Sequence, residues 1–473
     1  MRFHTITPRP KCNFSRRPGR LNTAFAVLSL LAMTGAIFSA LQPNDPGILD
    51  PANRNPVLQG VLVCIYIITA SLLLLRWEQV LRFLAADKLL VAALAIVVLS
   101  ALWSAAPDVT LRRGSALLGT TAFGVYLALN FDWEDQLRML ALVVGIGACL
   151  SVLCVLVVPD IGLTTGSYLT EWRGVYGHKN GLGQVMCFGV VAFFLLWRRR
   201  NRLAYKLGLA LCLALLLLSG SRTALFSAVA AILVGQALRV APGLNAAAPV
   251  VAVVLVIGAV AWPGLISQFG GLLRFSDRDL TFTGRTALWS LLWRDVLARP
   301  WLGYGYGAYW IGGATSRSAS IWDALRWQPT SAHNGYFDVL LGTGLIGFAL
   351  VVGGFVRLCW RAMNLARYAR SNWASSIPFY LLAVMFCLNL AESSLAMPNN
   401  ICWVLYTSAA TSLAFRTLRI GLQKRRAIQA GCAPPIIEPN DLFAGPPTRF
   451  DSSVRRRCPP PAFRPSDFRS NKV

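Results

Sequence analysis

Apolar stretches of membrane-crossing length recur from one end of this chain to the other, and no other feature limits its fold so strongly. A bilayer's hydrocarbon core takes about 20 apolar helical residues to cross, and a run of roughly 18 or more with few charges reads as such a helix. Runs of this kind stand at approximately 21–41, 57–76, 89–105, 114–131, 137–158, 181–197, 204–220, 222–239, 247–267, 334–357, 376–396 and 400–418. They predict an all-α polytopic membrane protein with about twelve transmembrane helices, each satisfying its own backbone inside the lipid. Composition agrees: 55% of residues are hydrophobic, 14% are charged, and mean hydropathy is +0.54. Ser219-Gly220-Ser221 predicts a tight turn between the runs on either side of it.

The net charge of +25 suggests nucleic acid at first, but its distribution points to topology instead. Arg2, Arg9, Lys11, Arg16, Arg17 and Arg20 precede the first run. Arg198, Arg199, Arg200, Arg202 and Lys206 lie between two runs, and Arg357, Arg361, Arg367 and Arg370 follow another. Lys424, Arg425, Arg426, Arg455, Arg456 and Arg457 are in the tail. An even number of spans puts all of these on one side, which the positive-inside rule makes cytoplasmic, with both termini there. Two loops fit poorly: Arg112-Arg113 falls outside, and Asp132, Glu134 and Asp135 fall inside. The basic tail suits contact with anionic headgroups of membrane lipids. No basic and aromatic recognition module accompanies the charge, so nucleic acid is excluded as a partner. The first run is longer than a signal-peptide core and is read as an uncleaved anchor. The 11 cysteines form no CxxC pair and avoid the expected external loops, so they are read as packing residues rather than metal ligands or disulfides.

The expected organisation is a basic cytoplasmic tail (1–20), a membrane domain (21–418), and a disordered Pro- and Arg-rich cytoplasmic tail (419–473). One connection, 268–332, is long enough to expect function and partial folding. Within it, 286–297 has helical spacing, with Thr281 or Thr283 as N-cap and Arg299-Pro300 as terminator. The aromatics of Trp301-Leu302-Gly303-Tyr304-Gly305-Tyr306-Gly307 suit either a membrane-interface belt or stacking on sugar rings. A shorter external segment, 159–180, carries Trp172, Arg173, His178 and Lys179.

The chain has 3 histidines; His4 is in the basic tail, while His178 and His333 each stand just before an apolar run. Imidazole at a membrane–water boundary is well placed for proton transfer. Arg173, His178, Lys179, Arg222, Arg285 and His333 all map to the outer face. So many cations on the side the positive-inside rule disfavours call for an anionic partner, and arginine with lysine suits a phosphate or diphosphate. Each residue also has a plainer reading: Arg222 snorkelling at a helix end, His333 bonding between helices, and Asn180 capping its helix. Asp338 is read either as orienting His333 or as a buried hydrogen-bonding acid. Glu392, the only acid in its run, is either functional or paired with one of these arginines.

Four short motifs, taken in order, resemble a known family. Arg173-Gly174-Val175-Tyr176-Gly177-His178-Lys179-Asn180-Gly181-Leu182-Gly183 resembles the signature before a central span of the O-antigen ligase and exopolysaccharide polymerase superfamily. Ser221-Arg222-Thr223 resembles its short external turn, and Gly284-Arg285-Thr286 with Trp289 resembles the start of its large periplasmic loop. His333-Asn334, followed at the right spacing by Gly344 and Gly347, resembles the histidine motif of its ligases.

The resemblance implies a GT-C-type membrane glycosyltransferase working at the periplasmic face of the bacterial inner membrane. It implies an undecaprenyl-diphosphate-linked glycan donor, inversion at the sugar, and no metal or cofactor. His333 is the expected general base. Arg222 and Arg285 are expected on the diphosphate, with Arg173, His178, Lys179 and Asn334 completing the substrate site. The first reading is a polymerase joining lipid-linked repeat units into exopolysaccharide or O-antigen, with a chain-length co-polymerase as partner. The second is a ligase moving glycan onto lipid A–core, and a third, from another class, is a lipid-linked glycan flippase.

Overall fold

The computed structural model describes residues 19–36, 56–165, 170–240, 285–312, 316–325, 327–368 and 373–429. The expected run 247–267, the loop up to 284 with its capping threonines, and both terminal tails lie outside the described residues. The helices are α1 (Arg20–Met33), α2 (Pro56–Leu74), α3 (Trp77–Ala86), α4 (Lys88–Leu99), α5 (Pro107–Asn130), α6 (Trp133–Val157), the single turn α7 (Pro159–Gly162), α8 (Lys179–Arg200), α9 (Leu203–Leu218) and α10 (Arg222–Val240). α11 (Arg285–Ala298), α12 (Arg317–Leu325), α13 (Gly335–Tyr368), α14 (Ile377–Asn389) and α15 (Ile401–Gln429) complete them. Strands β1 (Leu163–Thr165) and β2 (Thr170–Trp172) form one antiparallel pair.

Every expected apolar run within the described residues coincides with a helix, and the chain is an all-α multi-pass membrane protein. The helices are less uniform than hydropathy suggests. Among the described residues 4 are long and apolar enough to cross a bilayer, or 5 if one bent pair counts as a single span. α1, α9, α10 and α14 are shorter apolar helices. The bent pair is a departure from expectation: the stretch between the runs 57–76 and 89–105 holds a helix, α3, bent by 95° from the one that follows. Its first turn carries Glu78, which pairs with Arg82 one turn on.

Local chemistry sets the helix ends. Asp132 caps α6 by accepting from the Asp135 N–H at 2.8 Å. Pro107 starts α5, and Arg198, Arg199 and Arg200 occupy the last turn of α8, where cations favour the helix dipole. Asn201 then ends α8 in the left-handed conformation.

α8 packs against α6, α9, α10 and α14, and its middle is buried through one large apolar cluster shared by most helices. A second, smaller cluster joins α11, α12 and the first turns of α13, around Leu288, Trp289, Leu292, Tyr309, Trp310 and Phe337. The described part of the long connection before α13 is therefore folded on its own apolar centre.

Residues of the two poorly fitting loops make contacts elsewhere in the fold. Glu134 pairs with Arg138 and, at 3.2 Å, with Arg200 of the neighbouring basic connection. Arg113 donates to the Gly307 carbonyl at 2.5 Å and so belongs to the large loop rather than to open solvent. Arg361, counted above among the cations that mark the cytoplasmic side, forms a buried pair with Asp87 at the α3–α4 elbow and also donates to Ala86 O at 2.6 Å.

α13 is not a continuous helix. Gly344 sits at φ +64°, ψ −167°, outside any helical region, and interrupts it. The backbone groups freed there are met by the segment after α11. Leu345 N–H donates to Pro300 O at 2.7 Å, Tyr304 N–H to Leu341 O at 2.7 Å, and Gly305 N–H to Gly342 O at 3.1 Å. The glycine and aromatic segment 301–307 is thus a plug in a broken helix; Tyr304 is buried, while Trp301 stays exposed. Broken backbone at this depth survives only where protein satisfies it.

Candidate active site

The residues flagged along the sequence collect at one end of the helix bundle. Gly183, in the first turn of α8, faces Ser221; a Cβ there would stand 2.6 Å from the serine Cβ. That close approach brings the Arg222 turn against the segment carrying His178 and Lys179. Ser219 ends α9 and Gly220 turns at φ +64°, as the tight-turn reading expects. Arg222 opens α10 with its side chain exposed, and among the described residues it has no hydrogen bond or ion pair.

On the other side of this face, the loop after α14 is the hub. Glu392 is buried, and its Oε1 takes the Arg285 Nη2 at 2.8 Å. Arg285 Nη1 donates to Ala391 O at 2.5 Å, so both arms of the fork grip this loop. Glu392 Oε2 faces Gln184 Nε2 at 3.4 Å and His333 Nδ1 at 3.7 Å. The Ser394 hydroxyl donates to Gln184 Oε1 at 2.8 Å and ties the loop to α8. The split over Glu392 therefore resolves as pairing with an arginine.

His333 lies in the left-handed region at φ +48°, just before α13. Its ring is 23% exposed and tilts over Trp327 at 5.9 Å between centroids, while Nδ1 is buried with no hydrogen-bond partner. Asn334 is fully buried. Its Oδ1 accepts from the Tyr336 and Phe337 N–H groups at 3.0 and 3.3 Å, its Nδ2 donates to Leu390 O, and its N–H donates to Ser393 Oγ. It is the N-cap of α13, and this geometry leaves it no polar group to offer a substrate. Asp338 accepts from Trp310 Nε1 at 2.7 Å and from the Ala332 N–H at 3.1 Å, so it fixes the backbone just before His333 rather than bonding to the ring.

The 173–183 motif is built differently from its simplest reading. Arg173 donates from Nε to Ile161 O at 2.7 Å and from Nη2 to Asp160 O at 3.0 Å, clasping the α7 turn. Lys179 pairs with Glu171 at 2.6 Å. The cap of α8 is His178, whose Nδ1 accepts from the Asn180 N–H at 3.2 Å; Asn180 itself is not the cap. The His178 residue is exposed, yet desolvation is still the largest influence on its ring and holds the pKa below the usual histidine value. Glu392 pulls it upward, while His333 and Lys179 push it down, so the two histidines share one electrostatic neighbourhood with Glu392.

Among the described residues this end of the bundle therefore offers an arginine without a partner, Arg222, an anchored arginine, Arg285, and two imidazoles near a buried carboxylate. Among the described residues no group of three or more His, Cys, Asp or Glu side chains is arranged to hold a metal ion. The described cysteines, Cys149, Cys154, Cys187 and Cys402 among them, are free. Gln184 and Ser394 were missed in the sequence, where nothing distinguishes them from ordinary span residues. Glu392 left a signal in being the only acid of its run.

Residues 207–352 match the family model described as O-antigen ligase, a stretch that includes Arg222, Arg285 and His333. The chain is also similar to the exopolysaccharide production protein ExoQ of Rhizobium meliloti (strain 1021), with 24% identity over 364 residues, covering 74% of this chain and 82% of that protein.

Proposed function

We propose, from the premise that this chain belongs to the O-antigen ligase and ExoQ-like family, that it polymerises undecaprenyl-diphosphate-linked oligosaccharide repeat units into exopolysaccharide or O-antigen at the periplasmic face of the inner membrane. The observation that carries this reading is the shared buried carboxylate: Glu392 lies 2.8 Å from an arginine suited to an anion and 3.7 Å from an imidazole suited to a proton. A base beside an anion site is what glycosyl transfer from a diphosphate requires.

In the proposed reaction His333 takes the proton of an acceptor hydroxyl. The acceptor oxygen bonds to the anomeric carbon from the face opposite the leaving group, inverting it. The bond from that carbon to the diphosphate oxygen breaks, and the electron pair leaves with undecaprenyl diphosphate. Arg222, free of protein partners among the described residues, and Arg285 hold the charge as it builds. Lys179 and His178 line the donor or acceptor side. Arg173 and Asn334 act through the loops they fasten, Arg173 through the α7 turn and Asn334 through the His333 backbone. The proposal includes a GT-C-type fold, an active site facing the periplasm, cytoplasmic termini and no need for a metal. A chain-length co-polymerase is the proposed partner.

Similarity over most of the chain to a protein named for exopolysaccharide production favours polymerase, while the family description favours a ligase that moves glycan to lipid A–core. Product size separates them. Purified protein given lipid-linked repeat units without added metal is expected to yield a ladder of multiples. A single shifted band, seen only when lipid A–core is supplied, would assign the ligase reaction instead.

A further inference from the structure

We infer that Glu392 is the positioning residue of the transfer reaction: one carboxylate anchors the diphosphate-binding Arg285 and selects which nitrogen of His333 accepts the proton. The inference rests on the transferase reading of this face.

Glu392 does not reach a substrate, because it is 5% exposed and packed beneath Arg285 and His333. Its two oxygens are divided: Oε1 serves Arg285, and Oε2 points between Gln184 and His333. His333 Nδ1 is buried and unpaired, with Oε2 at 3.7 Å as the carboxylate facing it. An unpaired buried polar atom costs about 1–3 kcal/mol. Closing the gap by less than about an ångström to ordinary N–H···O length removes that cost if Nδ1 carries the hydrogen. The hydrogen is then absent from Nε2, whose lone pair is left as the base. The carboxylate also favours the imidazolium formed when the acceptor proton arrives.

Backbone contacts hold the two groups in register. Gly335 N–H donates to Glu392 O at 3.1 Å, and Asn334 N–H donates to Ser393 Oγ at 3.2 Å, so the loop carrying the carboxylate is fastened to the residues next to His333. The other charged or titratable groups acting here are His178, which shares the field of Glu392 and His333, Asp338, on which His333 acts, and Arg285 behind the carboxylate. Lys179 is neutralised by Glu171.

The test is a rate–pH series on the purified full-length protein, with undecaprenyl-diphosphate-linked repeat units as donor, for wild type, Glu392→Gln, Glu392→Asp and His333→Ala. Glutamine still offers an oxygen to Arg285 but turns an N–H donor toward Nδ1, which drives the ring hydrogen to Nε2. Glu392→Gln is expected to lower kcat by about 100-fold or more, the usual range for losing a general base. KM for the donor should stay within about threefold. Glu392→Asp should recover part of kcat with the wild-type profile. Wild-type kcat in Glu392→Gln, or a loss confined to KM, would overturn the inference while leaving the transferase reading intact. Should Glu392→Gln fail to fold, Glu392→Asp decides, because unchanged kcat with the shorter carboxylate would overturn it. Transfer surviving in His333→Ala would strike the transferase reading itself and this inference with it.

Discussion

The Trp301 carbonyl occupies the space that a side chain on Gly344 would need. The helix carrying His333 at its head is broken at Gly344, and the segment that fills the break comes from the stretch just after α11. Gly344→Ala would combine a clash with a backbone conformation that only glycine adopts readily, the conformation alone costing about 1–3 kcal/mol. The melting temperature of the purified protein in detergent is expected to fall clearly. Gly353→Ala, in a straight part of the same helix with only a side-chain methyl at 3.8 Å, should leave it almost unchanged.

Arg222 and Arg285 are expected to separate stability from binding. Removing Arg285 leaves Glu392 buried without its strongest partner, and breaking a buried pair costs about 3–5 kcal/mol. Arg222 has no such partner among the described residues, and a surface change of that kind stays within about 0.5 kcal/mol. Arg285→Ala should therefore lower the melting temperature and donor affinity together, and Arg222→Ala donor affinity alone. Melting curves alongside donor-binding isotherms check this.

At the α3–α4 elbow, Asp87 and Arg361 are both buried against each other. Asp87→Ala strands a guanidinium and is expected to destabilise by about 3–5 kcal/mol. Replacing both residues by leucine should recover much of that loss, since the two deletions are coupled. A double-mutant cycle on thermal stability measures the coupling; additive losses would mean the pair contributes nothing as a pair.

Because desolvation lowers the folded-state pKa of His178, the unfolded chain binds more protons as the pH falls past the ordinary histidine value of about 6.5. Stability supplied by the neutral ring is present above that pH and is lost on acidification. His178→Asn keeps a capping oxygen for α8 without the titration, so its stability–pH curve should be flatter on the acid side. Identical curves for wild type and variant would contradict this.

Much of this architecture is legible in the sequence, because a membrane helix announces itself by composition alone. The runs at 137–158 and 181–197 map onto α6 and α8, and the Ser219-Gly220-Ser221 turn lies where expected. The helix spacing of 286–297 and its end at Arg299-Pro300 match α11. Hydropathy is blind to events inside an apolar run, so it misses the break at Gly344, whose cause is a partner segment some 40 residues upstream. Charge counting is equally blind to pairing: Arg361 and Glu134 look like topological markers until Asp87 and Arg200 are beside them. Short motifs point to the proposed site but not to the task of each residue. Asn334 sits beside the histidine in sequence, yet its side chain is committed to a cap and to Leu390, while Glu392, distant in sequence, is the group facing the ring.

The most direct test of the account is transfer by His333→Ala with lipid-linked repeat units, measured with donor binding on the same preparation. The account predicts that glycan product disappears while donor still binds within a few-fold of wild type. Full-length glycan made by the variant at the wild-type rate would contradict it.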